Sequence, residues 1–224
     1  MKWTDQRPNF CEGIVSGPPE YVNSITSLFL VFYGLAGLFI TQNHNIIIRA
    51  SSALLAATGI GSIAYHATLH HGWGQVDGLP MLIASYLGAY QAFDISLYKR
   101  LYIDGKNQRR YEIASGILAF IIMCLLCISL ALSVSDDTEH WFSILFLIPE
   151  VSIAVAVGII KYNFTNNVKL SFANDVQRAF KIMYVGIGSA VTAAIFWFTT
   201  ESLCKSYPWL RFLYAHGIWH ASIS

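Results

Sequence analysis

The chain has 224 residues, of which 55% are hydrophobic and 12% are charged, and its mean hydropathy is +0.50. Soluble domains carry about 25% charged residues, so this composition predicts a membrane protein. The formal net charge of +1 gives no indication of a nucleic-acid-binding surface, and we expect no nucleic-acid partner. No basic segment with a short apolar core opens the chain, so we expect the first span itself, rather than a cleavable signal peptide, to direct insertion.

Seven apolar stretches qualify as membrane-spanning helices, which need about 20 mainly apolar residues each. They follow an N-terminal segment of residues 1–21 and predict an all-α protein: a single domain, residues 1–224, formed by a seven-transmembrane helix bundle. The seventh stretch begins with Pro208 in a favourable first-turn position, but it is short and would need tilt, bilayer thinning or a partner helix. The predicted spans are 22–42, 47–67, 78–98, 111–133, 141–161, 181–200 and 208–224.

Lysine and arginine in the connections orient this bundle, because short cytoplasmic loops of membrane proteins are enriched in both. Alternate connections lie on the same side of the membrane. The connections near 43–49, 99–110 and 161–181 carry ten of these residues, whereas the opposite side carries three. We therefore expect the N-terminus outside or in a lumen, and the C-terminus in the cytoplasm.

Three histidines in the apolar stretches give the strongest functional signal, because ionisable groups are costly inside a membrane. His66 lies near the outer end of the second span. His216 and His220 lie four residues apart in the seventh span, on one helix face and in its outer half. Two imidazoles from one helix and a third from another can bind one zinc ion and leave a fourth position open.

A hydroxyl and a carboxylate accompany these histidines. Ser62 precedes His66 by one helical turn, and Asp77 opens the third span at the same outer side. Zinc lowers the pKa of water to about 7. Ser62 would donate to a carbonyl oxygen as that oxygen gains charge, and Asp77 would pass a proton to a leaving amine. This set predicts a zinc hydrolase.

Each of these residues also has a structural interpretation. Ser62 alone would bond a carbonyl of its own helix, and Asp77 alone would cap the third helix. His70 is a rival zinc ligand four residues after His66, although it lies in the turn 70–74, where the helix is expected to end. The combination, rather than any single residue, favours the zinc site.

Two parts of the chain resemble the alkaline ceramidases. Residues 61–69 (GSIAYHATL) and 77–81 (DGLPM) are similar to that family's second and third spans, including the spacings Ser-x-x-x-His and His-x10-Asp. Residues 216–220 (HGIWH) are similar to its last-span His-x-x-Trp-His.

The resemblance implies a seven-helix intramembrane zinc amidase that hydrolyses ceramide to a sphingoid base and a fatty acid. By resemblance, the zinc ligands are His66, His216 and His220. Asp77 is then the proton-transfer residue, and Ser62 assists at the carbonyl. The implied partners are ceramide or a related lipid amide and the membrane lipids. For a eukaryotic protein, we expect the endoplasmic reticulum or Golgi.

The N-terminal segment is similar to the part of that family which binds calcium through oxygen ligands. The resemblance makes Asn9, Phe10, Glu12 and Glu20 candidate calcium ligands. The alternative for Glu20 is a helix cap, because a carboxylate is favoured by the dipole at the N-terminus of the first span.

Two cysteines lie on the predicted outer side, Cys11 before the first span and Cys204 after the sixth. Disulfides persist in an oxidising lumen, and Cys204 lies seven residues after Trp197, where the resembled family has a cysteine. We predict a disulfide that ties the N-terminal segment to the start of the seventh span. Two free thiols are the alternative.

Two other classes of function stay open on sequence grounds. The related adiponectin-receptor type of seven-helix receptor shares the serine, histidine and aspartate residues and the terminal histidine pair. Those receptors usually have a long cytoplasmic N-terminal domain, whereas here only residues 1–21 precede the first span, on the outer side. A structural or chaperone-like membrane protein would keep the histidines as polar contacts and bind no zinc.

Overall fold

The computed structural model describes residues 4–5, 10–16, 18–42, 46–97, 107–134, 139–165 and 173–223. The regular elements within these ranges are helical, which confirms the all-α prediction. They are α1 (Cys11–Ser16), α2 (Tyr21–Ile40), α3 (Ile46–Thr68), α4 (His71–Leu97), α5 (Gln108–Val134), α6 (Glu139–Thr165), α7 (Ala173–Leu203), a 3₁₀-helix (Pro208–Leu213) and α8 (Ala215–Ile223).

Five of the described helices are long and apolar enough to cross a membrane. Large apolar side chains point away from the protein along them; Phe39 is 76% exposed and Phe120 is 70% exposed. Such exposure suits helices whose outer surface contacts lipid. The five segments correspond to the first, second, fourth, fifth and sixth predicted spans: Tyr21–Ile40, Ile46–Thr68, Gln108–Leu132, Leu145–Tyr162 and Phe180–Leu203.

The turn between α3 and α4 is shorter than the sequence predicts. Leu69 has a φ of 56°, which ends α3, and α4 begins at His71. The glycine-containing stretch 72–74 therefore forms the first turn of α4 instead of a loop. Asp77 lies inside this helix, so the predictions that it opens the helix or caps it are wrong.

The predicted seventh helix is interrupted. A 3₁₀-helix occupies residues 208–213, and Tyr214 takes the left-handed conformation with a φ of 47°, which stops the helical hydrogen-bond ladder before α8. Leu210 is buried against Cys11 and Cys204, so packing on the N-terminal segment holds this stretch in place. A continuous helix from residue 208 is therefore wrong, and α8 has nine residues.

Two compact units make up the chain, and the first comprises Met1–Met81 and Ile182–Ser224. In this unit α2 packs against both α3 and α8. A Cβ atom added at Gly59 would lie 2.6 Å from the backbone nitrogen of Val31, so the backbones of α2 and α3 approach closely. Small residues permit such close packing between membrane helices.

The second unit comprises Leu82–Lys181. Polar side chains inside its apolar helices are paired: the hydroxyls of Tyr86 and Ser129 lie 2.8 Å apart, and Ser85 donates to Glu150 at 2.7 Å. Such pairs satisfy polar groups where water is absent. The buried apolar core of this unit consists of Leu82, Tyr86, Leu126 and Leu145.

Candidate metal centre

Three buried imidazoles converge in the first unit. His66 lies in the last turn of α3, and His216 and His220 lie one turn apart on α8. One nitrogen from each ring lies within 4.8 Å of the other two, and the Nε2 atoms of His66 and His216 are 3.2 Å apart. The structure thus brings together the three histidines that the sequence analysis predicts as metal ligands. His70 is not a member of this group among the described residues.

The chemistry of the three rings and the distance between two of them suit a zinc ion. Tetrahedral Zn–N bonds of about 2.0–2.1 Å separate two ligand nitrogens by roughly 3.3 Å, and the observed Nε2–Nε2 distance is 3.2 Å. Imidazole is a preferred zinc ligand, and three protein ligands leave one tetrahedral position open.

Hydrogen bonds at the far side of two rings orient the centre. The Nδ1 atom of His66 lies 2.5 Å from Oε2 of Glu20. The Nδ1 atom of His220 lies 3.1 Å from Oγ of Ser27 and 3.2 Å from Oγ1 of Thr26. A proton on each Nδ1 leaves Nε2 with a free lone pair for a metal, which is the usual arrangement of metal-binding histidines.

Glu20 is fully buried and directly precedes α2, outside the spanning segment. Burial raises the pKa of Glu20 to about 7. The side-chain amide of Asn23 acts in the opposite direction and lowers this pKa, because it donates a hydrogen bond to Oε2 at 3.1 Å. Glu20 occupies the N-cap position of α2, but its carboxylate makes no capping hydrogen bond. Glu12 caps α2 instead, because its carboxylate accepts the N–H groups of Val22 and Asn23 at 3.1 and 3.2 Å.

Ser62 and Asp77 meet where α3 and α4 nearly touch. Ser62 is fully buried and hydrogen-bonds the Asp77 carboxylate. A Cβ atom at Gly61 would lie 2.5 Å from the carbonyl carbon of Val76 and 2.6 Å from the nitrogen of Asp77. Glycine at position 61 therefore permits the approach that brings Asp77 to Ser62, one helical turn from His66.

Aromatic rings cover His216. The Phe10 ring stacks on this imidazole with 3.9 Å between centroids, and the Trp197 ring meets it at 4.7 Å. Trp219 in turn stacks on Trp197 at 5.4 Å. Sequence reasoning missed this arrangement, because nothing in the local pattern around Phe10 indicates that its ring folds over a histidine more than two hundred residues away.

The candidate calcium ligands have several different neighbours. The carboxylate of Glu12 caps α2, that of Glu20 contacts His66, and the ring of Phe10 lies on His216. Asn9 lies outside the described residues.

A disulfide joins Cys11 and Cys204, with 5.6 Å between the Cα atoms. It connects α1 to the residue that follows α7. In addition, Glu201 accepts a hydrogen bond from the backbone nitrogen of Cys11 at 2.5 Å. Cys124 and Cys127 are free and exposed on α5.

The contacts that the polar face of α2 makes with the histidines are the main part of the site that sequence reasoning missed. Glu20, Asn23 and Ser27 recur every three or four residues and are all buried. Polar residues at helical spacing within an apolar span were a usable signal, since such residues usually face the protein interior.

Comparison with known proteins agrees with this geometry. The family model described as Ceramidase matches residues 7–224. The chain is also 22% identical to a protein of Dictyostelium discoideum named "Putative alkaline ceramidase dcd3B", and the alignment covers 90% of this chain and 75% of that protein. Since the family model covers nearly the whole sequence, the chain belongs to the Ceramidase family.

Proposed function

We propose that this protein is a zinc-dependent hydrolase that cleaves the amide bond of ceramide, releasing a sphingoid base and a free fatty acid. The observation that carries the proposal is the group of three buried imidazoles whose ligand nitrogens lie within 4.8 Å of one another. Membership of the Ceramidase family and the name of the Dictyostelium relative support the lipid amide substrate.

The residues around the centre have distinct parts in this reaction. Bound by the three histidines, zinc would supply the Lewis acidity that makes water nucleophilic near neutral pH. The hydroxyl of Ser62 donates to the amide carbonyl oxygen as negative charge grows there. The carboxylate of Asp77 takes a proton from the attacking water and gives it to the nitrogen as the carbon–nitrogen bond breaks.

We also propose that the chain forms one transmembrane domain with seven membrane elements. These are the five apolar helices, α4, which also crosses the membrane, and the segment 208–223, which enters it. The N-terminal segment lies outside the cell or in a lumen. In a eukaryotic cell this is the lumen of the endoplasmic reticulum or Golgi. The excess of lysine and arginine in the alternate connections supports this orientation.

The central experiment measures fatty-acid release from several ceramides by the purified protein, with and without a zinc chelator. We expect chelation to abolish release and added zinc to restore it. His216→Ala is expected to lose both zinc and activity, whereas His70→Ala, a histidine outside the triad, should retain both. Equal activity in His216→Ala and the parent protein would contradict the proposal.

Asp77→Asn separates proton transfer from metal binding. We expect this variant to keep its zinc but to lose about 10²–10⁴-fold in turnover, the usual contribution of general acid–base catalysis. If the variant loses zinc instead, the carboxylate is a ligand or a structural group.

We further propose that the N-terminal segment binds calcium through Asn9, the backbone carbonyl of Phe10, Glu12 and Glu20. Carboxylate and carbonyl oxygens are the ligands that calcium prefers. We expect calcium, but not sodium at equal ionic strength, to raise the melting temperature, and Glu12→Gln to reduce the shift. An unchanged melting temperature over a calcium titration would argue against this site.

A further inference from the structure

We propose that Ser27 is a positioning residue of the metal centre, whose hydroxyl holds both the imidazole of His220 and the hydroxyl of Ser62 in fixed orientations. The inference rests on the proposed function, since it concerns the same metal and the same reaction. Ser27 belongs to neither the Ser-x-x-x-His nor the His-x-x-Trp-His motif and is assigned from its contacts alone.

Ser27 lies where three helices meet. It belongs to α2 and is fully buried. Its Oγ atom is 3.1 Å from Nδ1 of His220 on α8 and 2.9 Å from Oγ of Ser62 on α3. The same atom lies 2.7 Å from the backbone carbonyl oxygen of Asn23. One hydroxyl therefore touches a candidate metal ligand and the residue proposed to contact the carbonyl oxygen.

The protons around His220 can be assigned from donor and acceptor capacity. The Thr26 hydroxyl lies 2.8 Å from the carbonyl oxygen of Val22 and 3.1 Å from that of Asn23, and both carbonyls can only accept. The proton of Thr26 therefore points away from His220, and Nδ1 of His220 donates toward the hydroxyl oxygens of Thr26 and Ser27. Nε2 is left with its lone pair, as metal binding requires. Ser27 helps to fix this tautomer.

The single proton of Ser27 has two acceptors within reach, the Asn23 carbonyl and Oγ of Ser62. When Ser27 donates to Ser62, the Ser62 proton is free to point to the Asp77 carboxylate before the substrate binds and to the amide carbonyl oxygen afterwards. Without Ser27, the Ser62 hydroxyl loses a buried neighbour that restricts its rotation. The side chain of Ser27 thereby orients both the candidate metal ligand His220 and the proposed carbonyl-oxygen donor Ser62.

Thr26 provides a way to separate these two tasks. Its Oγ1 atom lies 3.2 Å from Nδ1 of His220, and its hydroxyl donates to the carbonyl oxygen of Val22 at 2.8 Å. Its described hydrogen bonds do not include Ser62. Replacing Thr26 by valine should therefore disturb His220 while leaving Ser62 in place.

The first test uses metal binding, which needs no turnover. Purified variants are titrated with Co²⁺ against a chelator, and the visible spectrum of the bound ion is recorded. Ser27→Val and Ser27→Thr are nearly equal in shape, and only the threonine keeps a hydroxyl. We expect Ser27→Val to weaken Co²⁺ binding about tenfold and to shift the spectrum. Ser27→Thr should stay close to the parent protein.

The control is Ser24→Ala on the same helix, because the Ser24 hydroxyl has no hydrogen-bond partner among the described residues. It should bind Co²⁺ like the parent protein. Equal losses in Ser27→Val and Ser27→Thr would assign Ser27 to packing alone and overturn the proposal. Unchanged Co²⁺ affinity, spectrum and turnover in Ser27→Val would also overturn it.

The second test uses fatty-acid release from ceramide. Ser27→Val should lower kcat with little change in KM, and its effect should become much smaller in a Ser62→Ala background. Thr26→Val should show no such dependence on Ser62. Independent effects of Ser27→Val and Ser62→Ala on kcat would overturn the link between the two hydroxyls.

The two tests keep this proposal separate from the proposed function. If the parent protein binds Co²⁺ but releases no fatty acid, ceramide hydrolysis is refuted, while a loss of affinity in Ser27→Val still supports the positioning role at the metal. If the parent protein hydrolyses ceramide and Ser27→Val behaves identically, only the inference about Ser27 is refuted.

Discussion

Glu20 makes the shortest described contact to the histidine triad, at 2.5 Å from Nδ1 of His66. A carboxylate behind a metal-binding histidine fixes the ring and makes it a better electron donor. Glu20→Gln keeps the size of the side chain and removes its charge. We therefore expect this variant to bind zinc about 10–100-fold more weakly, measured by competition with a chelator in calcium-free buffer.

The matched control for Glu20 is Glu112→Gln, the same substitution on α5. Glu112 is exposed and pairs with Gln108, so its replacement should leave zinc affinity unchanged. If Glu20→Gln binds zinc as tightly as the parent protein, the contact between Glu20 and His66 does not contribute to zinc affinity.

At the scale of residues, the parts of the site with a sequence motif were the predictable ones. Ser62, His66 and the pair on α8 have fixed helical spacings, so their common face follows from 3.6 residues per turn. The ring of Phe10, which lies on His216, comes from the segment that precedes α2. A contact of this kind has no periodicity, so the sequence does not reveal it.

At the scale of elements, the close approach of α3 and α4 is the feature on which Asp77 depends. A Cβ atom at Gly61 would lie 2.5 Å from backbone atoms of α4. We expect Gly61→Ala to push α4 away and to lower the free energy of unfolding by about 1–3 kcal/mol. Turnover should fall sharply while zinc stays bound, because the triad comes from α3 and α8.

The control for Gly61 is Gly116→Ala on α5, where an added Cβ would meet no atom within 4 Å. This variant should be as stable as the parent protein or slightly more stable, because alanine favours a helix over glycine. Thermal unfolding, zinc content and fatty-acid release are compared in both. A Gly61→Ala protein with full turnover would show that the approach of α4 is not needed.

The elements with continuous apolar sequence were predictable, whereas the breaks between elements were not. The five most apolar helices coincide with predicted spans, because length and composition alone specify them. The left-handed residues Leu69 and Tyr214 are not glycine or asparagine, so no residue type typical of this conformation marks either position. Those two residues explain the early start of α4 and the interrupted seventh element.

At the scale of the whole molecule, residues from distant parts of the chain meet at the triad. His66 and His216 are 150 positions apart, and their Nε2 atoms are 3.2 Å apart. The N-terminal segment joins them through Phe10 and through the disulfide between Cys11 and Cys204. Anything that releases that segment should therefore disturb the centre without touching a histidine.

The disulfide provides the means to release it. Cys11 and Cys204 are 193 positions apart. Loop-entropy models predict that a disulfide closing so long a loop stabilises the folded protein by about 4–5 kcal/mol, which is an upper figure because strain in the native state reduces it. We expect Cys11→Ser, Cys204→Ser and the double variant to lower the melting temperature equally, since each breaks the same bond. Cys124→Ser, at an exposed free thiol, should leave the melting temperature unchanged.

Non-reducing peptide mapping of protein made in an oxidising compartment should recover Cys11 and Cys204 in one linked fragment. A Cys11 thiol that reacts freely with an alkylating reagent would contradict the bond, and it would also weaken the proposed outer position of the N-terminal segment.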